Sequence, residues 1–161
     1  MLKLGMRYRV EELVPHRGTM SLLETIDGYG ADWLRAGLTV RRESSFSDES
    51  GVPGWVGIEY MAQAASAFGA IEQVQRGETP SIGLLIGSRY YRCMQDHIPF
   101  GTRLSVHVKI AMRDEEDFAA YECSLSSVHE DGERLIAECT LKAFRPHDLA
   151  ALLPKPGAGH G

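Results

Sequence analysis

The sequence lacks any apolar run near the ~20 residues that cross a bilayer. Its first ten residues carry Lys3, Arg7 and Arg9 where a secretory signal would hold its apolar stretch. These absences predict a soluble, unexported, cytoplasmic chain without a membrane partner. Cysteine is scarce: Cys93, Cys123 and Cys139 are far apart, odd in number and show no C-x-x-C spacing. That pattern speaks against a zinc or dithiol site and predicts reduced core thiols with no metal. Positive charge is short as well, with 17 Lys and Arg against 22 Asp and Glu, a net charge of -5. A nucleic-acid binder needs clustered cations to displace phosphate counterions, so no nucleic-acid partner is expected. Neither an internal repeat nor a second composition is visible in the 161 residues, which predicts one domain over residues 1–149 and a frayed tail over 150–161.

What is present is alternation. From Thr102 to Met112, Leu104, Val106, Val108, Ile110 and Met112 fall on one face and Arg103, Ser105, His107 and Lys109 on the other, the period of a half-buried strand. Alternation resumes through Ala119, Tyr121, Cys123 and Leu125. After the turn residues His129 to Gly132 it returns through Leu135, Ala137, Cys139, Leu141 and Ala143, stopping near Pro146. Upstream, residues 22–29 and 33–41 read as a further hairpin with Leu34, Ala36, Leu38 and Val40 inward. Residues 81–94 read as a strand that Gly83 and Gly87 interrupt, glycines that suggest a bulge. Residues 54–77 differ: they are rich in Ala, Met and Gln, follow Pro53, and end at Arg76-Gly77. This is the one long helix, apolar or small around most of its circumference, and it belongs in the centre. One enclosed helix among antiparallel strands predicts an α+β fold, a curved sheet wrapped round the helix.

Within that helix Glu59 is out of character. A carboxyl placed on an apolar face loses solvation and becomes suited to proton exchange near neutral pH, and the open amides at the helix start could hold a developing oxyanion. The plainer alternative is that Glu59 is a first-turn acid favoured by the helix dipole.

Two stretches carry a resemblance: Leu13-Val14-Pro15-His16-Arg17-Gly18-Thr19-Met20-Ser21-Leu22-Leu23 and Val52-Pro53-Gly54-Trp55-Val56-Gly57-Ile58-Glu59-Tyr60-Met61-Ala62-Gln63. They resemble the hotdog-fold 3-hydroxyacyl-[acyl-carrier-protein] dehydratases, and most of all their divergent relatives in aryl polyene clusters. Ile98-Pro99-Phe100-Gly101-Thr102-Arg103-Leu104 is similar to a further family loop, with Thr102 in place of an acid. The resemblance implies a double-hotdog dimer, homo- or heteromeric, an acyl carrier protein as partner, and no cofactor. It implies Glu59 as the catalytic acid and the Gly54 amide as the thioester-polarising donor.

The family's catalytic histidine falls on Ser45, in Ser45-Phe46-Ser47-Asp48. Serine alone is no base for abstracting the proton beside a thioester. His16 is the motif-bearing substitute, although the family carries a similar Pro-His-Arg beside its catalytic histidine; His97 is an outside candidate near the carrier entrance. Ser45 and Gln63 are expected to line the pocket, Gln63 being placed to orient a water, and Arg89, Arg92 and Arg103 to meet the acidic carrier. Three functions follow: a carrier-dependent dehydratase, a non-catalytic or partly catalytic partner subunit of a dehydratase heterodimer, or an acyl thioesterase in which Glu59 activates water.

Overall fold

The structure is a computed structural model and describes residues 22–79 and 84–145. Strands β1 (Thr25–Tyr29) and β2 (Trp33–Thr39) form a hairpin, closed by the Gly30 amide donating to the Trp33 carbonyl at 2.8 Å. A long loop leads to the two-residue strand β3 (Val52–Pro53), a 3-10 turn over Gly54–Val56 and helix α1 (Gly57–Gln75). There follow β4 (Leu84–Cys93), the two-residue β5 (His97–Ile98), β6 (Arg103–Arg113), β7 (Phe118–His129) and β8 (Gly132–Phe144). The six long strands make one antiparallel sheet in the order β1-β2-β6-β7-β8-β4, while β3 and β5 form a separate ribbon.

The sheet curls round α1 because the helix has little face to give to water. Tyr60, Met61, Ala64, Ala67, Phe68, Ala70 and Ile71 are buried on it. They meet Leu34, Ala36 and Leu38 of β2, Val106 and Val108 of β6, and Leu125 and Leu141 of β7 and β8 in one core. Phe68 meets the Tyr121 ring edge-on at 6.5 Å, and Met61 Sδ lies 3.1 Å from Cys139 Sγ. The helix ends as the sequence suggests: Gly77 takes φ 76 and its amide donates to the Val74 carbonyl, the left-handed stop that a side chain would resist. This is the hotdog arrangement expected from the pattern and the resemblance.

Three details depart from the alternation. Leu135 is 44% exposed, because the β7–β8 register shifts between Leu125 and Ser126 and accommodates Ile136 as an extra residue, so Ile136 and Ala137 are both buried. Met112 is exposed for the same reason, since the β6–β7 register shifts between Ile110 and Met112. A bulge reverses the face of every residue beyond it. Strand β4 shifts register twice, between Arg89 and Arg92 and between Leu85 and Gly87, and the second of these was legible, since the strand glycine suggested it. Residues 81–83, the region of Pro146 and the tail lie outside the described residues. All three cysteines are free; Cys123 and Cys139 are buried, whereas Cys93 is only half-buried and stands at the helix start.

These positions separate in stability. Phe68→Ala, which empties a fully enclosed site, is expected to cost ~3–5 kcal/mol, read as a lower urea midpoint at unchanged m. Leu135→Ser, at a position that unbroken alternation would bury, should stay within ~0.5 kcal/mol.

Candidate active site

The start of α1 is held by a cluster of contacts that no periodicity announces. Pro53 leads into the 3-10 turn, and the helix has no side-chain cap. The Gly54 amide instead donates to the Asp96 carbonyl at 2.8 Å, and the Gly54 carbonyl accepts a short hydrogen bond from the Tyr91 hydroxyl. A Cβ on Gly54 would collide with the Gln95 carbonyl and come within 2.8 Å of Cys93 Sγ. Glycine is therefore needed here for close approach of two backbones. Burial pushes the Tyr91 phenol well above its usual range, so it remains a donor throughout the neutral range. Tyr60, one turn into the helix, is pushed up to about 12 by the same desolvation.

The loop between β2 and β3 is clamped against the same place. Asp48 Oδ1 accepts from the Ser50 and Gly51 amides at 2.7 and 3.2 Å, and Oδ2 lies 2.7 Å from His97 Nε2. A Cβ on Gly51, at φ 140, would strike the Ile98 carbonyl. His97 in turn stands opposite Pro53 in the β3–β5 ribbon, so one imidazole-carboxylate pair ties the loop, the ribbon and the helix start together. Phe46 of the loop packs edge-on to Trp55, which is 59% exposed.

Glu59 occupies the first turn of α1, half-buried. Gln63, one turn on and fully buried, donates through Nε2 to Glu59 Oε1 at 3.4 Å and accepts at Oε1 from the Leu22 amide at 2.9 Å. Gln63 thus orients the carboxyl itself. Gly54 is at the helix start as expected, but its amide reaches a thioester oxygen only by sharing or releasing the bond to Asp96. Ser45 is an exposed loop residue, and His16 lies outside the described residues.

The three arginines come from different parts of the sheet. Arg89 and Arg92 lie on β4, where exposed Arg92 is 3.8 Å from Glu138, and Arg103 opens β6 opposite Thr39. Strands β7 and β8 lie between, a separation of about 14 Å at ~4.8 Å per strand. Sequence reasoning missed Arg41 and Arg42, which follow β2 beside Arg103. Arg41 pairs with Glu24 at 3.0 Å, and Arg42 covers the Phe100 ring at 4.5 Å. Among the other histidines, His107 stacks with Trp33 and is held below its usual pKa by burial and then by Arg35. His129 bonds Ser127 Oγ at 2.8 Å, and His147 and His160 lie outside the described residues.

The Asp48 carboxyl is held below its usual range, first by the Ser50 amide and then by His97. A carboxyl depressed in the folded state stabilises above its unfolded pKa and loses that contribution as pH falls through the folded value. Asp48→Asn should therefore lower the melting temperature at pH 7, and the gap from the parent should close as pH falls below the ordinary carboxylate range. A gap that is constant from pH 7 to pH 2 would show that the charge is not what holds the loop.

The sequence profile of the ApeP-like family, described as ApeP dehydratase, matches residues 8–154. A chain of the dehydratase heterocomplex ApeI:P from Xenorhabdus doucetiae is similar in structure, with a TM-score of 0.80 and 26% identity over 90% of this chain and 95% of that one. Zebrafish thioesterase superfamily member 2 aligns at a TM-score of 0.62 and 12% identity, over 84% of this chain and 91% of that one. A hypothetical thioesterase from Streptococcus pneumoniae, solved with coenzyme A, aligns at 0.58 and 11%, over 74% and 82%. The two thioesterase likenesses show a shared hotdog fold alone, and no curated protein matches in sequence. With the profile covering nearly the whole chain and the helix-start motif in its place, the chain belongs to the ApeP-like dehydratase family.

Proposed function

We propose that this chain takes part in dehydrating 3-hydroxyacyl thioesters, carried on acyl carrier protein, to trans-2-enoyl thioesters during fatty-acid-like or aryl polyene synthesis. The observation that carries the proposal is Glu59: in a dehydratase-family chain, it is a half-buried carboxyl in the first turn of the enclosed helix, oriented by the buried Gln63 amide. In the elimination a base removes a proton from C2, the C2 electron pair becomes the C2–C3 double bond, and the C3–O bond breaks. Protonated Glu59 gives its proton to the departing hydroxyl, so water leaves. The thioester oxygen gains charge on the way, and the amides at the start of α1 are the donors nearest to hand, Gly54 among them once Asp96 yields.

The base is what this sequence lacks at Ser45. One observation favours a second reading, in which the chain is the carboxyl-bearing half of a heterodimer and a second hotdog subunit brings the histidine: the similar dehydratase from Xenorhabdus doucetiae is a heterocomplex. His16 remains the base candidate within the chain. Carrier docking is proposed at the helix-start end, where Arg103 and Arg42 adjoin the segment 96–103 that holds Gly54. Arg92 and Arg89 approach along β4, whose Cys93 lies against Gly54.

The purified chain, alone and with a histidine-bearing hotdog partner, is to be incubated with 3-hydroxyacyl and enoyl carrier thioesters, separating enoyl product from free acid. Glu59→Gln should lose ~10²- to 10⁴-fold in turnover while folding normally. If His16 is the base, His16→Ala should match that loss and the double variant be little worse; activity only with the partner would establish the second reading. Release of free acid alone would make the chain a thioesterase, and full activity of Glu59→Gln on every thioester would remove Glu59 from the chemistry.

A further inference from the structure

The proposed reaction leaves three cysteines unused, and they are not equivalent. Cys93 stands opposite Ala137 across β4 and β8, and its thiol donates to the Gln95 carbonyl at 3.1 Å. Cys123 of β7 and Cys139 of β8 stand opposite each other in the ladder, both with free thiols. Residues directly opposite on antiparallel strands project to one face, with Cα atoms ~4.5 or ~5.5 Å apart. Both spacings lie within the ~4.4–6.8 Å that a disulfide spans, and the Cβ atoms need to close by only about 1 Å.

The surroundings give the two thiols different tasks. Their mutual hydrogen bonding holds Cys139 below the usual thiol range, while the same contact and then burial push Cys123 up. Cys139 is therefore the sulfur that ionises first, and Cys123 keeps its proton. The pair is also within reach of a small molecule. Cys123 is 4% and Cys139 6% exposed, and both are in the lining of a groove of about 370 Å³ over β6, β7 and β8. A water needs only ~10–15 Å³ of such space, so a peroxide, with two oxygen atoms, has room to enter.

We propose that Cys123 and Cys139 are a redox-active dithiol, a modification site that hydroperoxides close to a disulfide between β7 and β8. The Cys139 thiolate attacks a peroxide oxygen: an S–O bond forms, the O–O bond breaks, and the departing oxygen takes the proton that Cys139 gave up. The Cys123 sulfur then attacks the sulfenic sulfur. The S–S bond forms as the S–O bond breaks, and that oxygen leaves as water with the proton of Cys123. Two electrons pass from the thiols to the peroxide, and with hydrogen peroxide two waters are released. Closing the bond takes the Cys139 thiol proton from Met61 Sδ, 3.1 Å away. Met61 lies between Glu59 and Gln63 on α1, so the two redox states differ in what packs beneath that stretch of helix.

The test needs no thioester and is independent of the reaction assigned to Glu59. The purified protein is treated with submillimolar hydrogen peroxide, alkylated and digested. Its intact mass should fall by ~2 Da, two hydrogens, and the map should contain one linked pair of peptides, carrying Cys123 and Cys139, with Cys93 still alkylated. Dithiothreitol should reverse the change. Cys123→Ala should stop at a sulfenic acid on Cys139 that dimedone traps, whereas Cys139→Ala should form no link and label Cys123 ~10-fold more slowly. Urea transitions of both variants check that they fold; where one does not, the peptide map of the parent decides. Oxidation confined to Cys93, a link through Cys93, or a Cys123–Cys139 link that forms only in denaturant would overturn the proposal, as would equal dimedone labelling of the two folded variants.

Discussion

Everything in this structure follows from a helix with little surface to give to water. Helix α1 buries residues around most of its circumference, which one flat sheet face cannot accomplish. The sheet has to curve, and four register shifts in its long strands supply the bending and added twist that bulges provide. The same enclosure makes polar residues on the helix conspicuous. Gln63 is fully buried and uses both ends of its amide, one on the Leu22 backbone and one on Glu59. A buried amide with a missing partner costs ~1–3 kcal/mol, so Gln63 resists rotation and the carboxyl beside it keeps one orientation.

The helix start is buried at Gly54, Val56 and Gly57 but has no side-chain cap, and there contacts from the neighbouring chain take the cap's place. An uncapped N-terminus leaves amides exposed, and Asp96 takes the Gly54 amide while Tyr91 takes its carbonyl. The two contacts come from the segment that runs from β4 to β5, and His97 in that segment holds Asp48 of the preceding loop. A thioester oxygen competing for the Gly54 amide would therefore act on Asp96, and through the short ribbon on the His97 and Asp48 pair. The half-exposed setting of that pair leaves it open to solvent and salt, so it is the softer element of the cluster, whereas the part-buried Tyr91 bond to the Gly54 carbonyl is less open to screening.

Legibility in the sequence tracked the range over which each signal acts. Helix α1 was readable because its composition changes over more than twenty consecutive residues, and the β6–β7–β8 meander because period-two patterning persists through each strand. The bulges that expose Leu135 and Met112 left no mark, since hydrophobic residues continue in phase and only the pairing changes. The β3–β5 ribbon is two residues per strand and contains Pro53, which reads as a loop. Asp48 and His97 are 49 residues apart and each is an ordinary surface residue by itself; only the fold makes them a pair. The positions of Glu59 and Gly54 at the helix start were legible through a family motif, while Gln63, expected to line the pocket and orient a water, is fully buried with its amide on Glu59 and the Leu22 backbone.

The missing histidine is best understood against the remaining chemistry rather than as simple decay. If relaxed selection had dissolved the site, the costly features would be expected to go first: a glycine in the helix interior at 69, a buried glutamine serving a carboxyl, and a glycine at 54 that permits a backbone approach no other residue could make. All three stand. An elimination divides into a proton removed and a proton given, and the two tasks need not come from one chain when two hotdog subunits meet. On the proposed reaction, a chain with a half-buried carboxyl, its orienting amide and the helix start, yet with Ser45 where the family resemblance places a histidine, has the composition of half an active site. Under that proposal the proton donor works only where a base reaches the same thioester, so the proposed elimination calls for a histidine-bearing surface within the chain or on a second subunit.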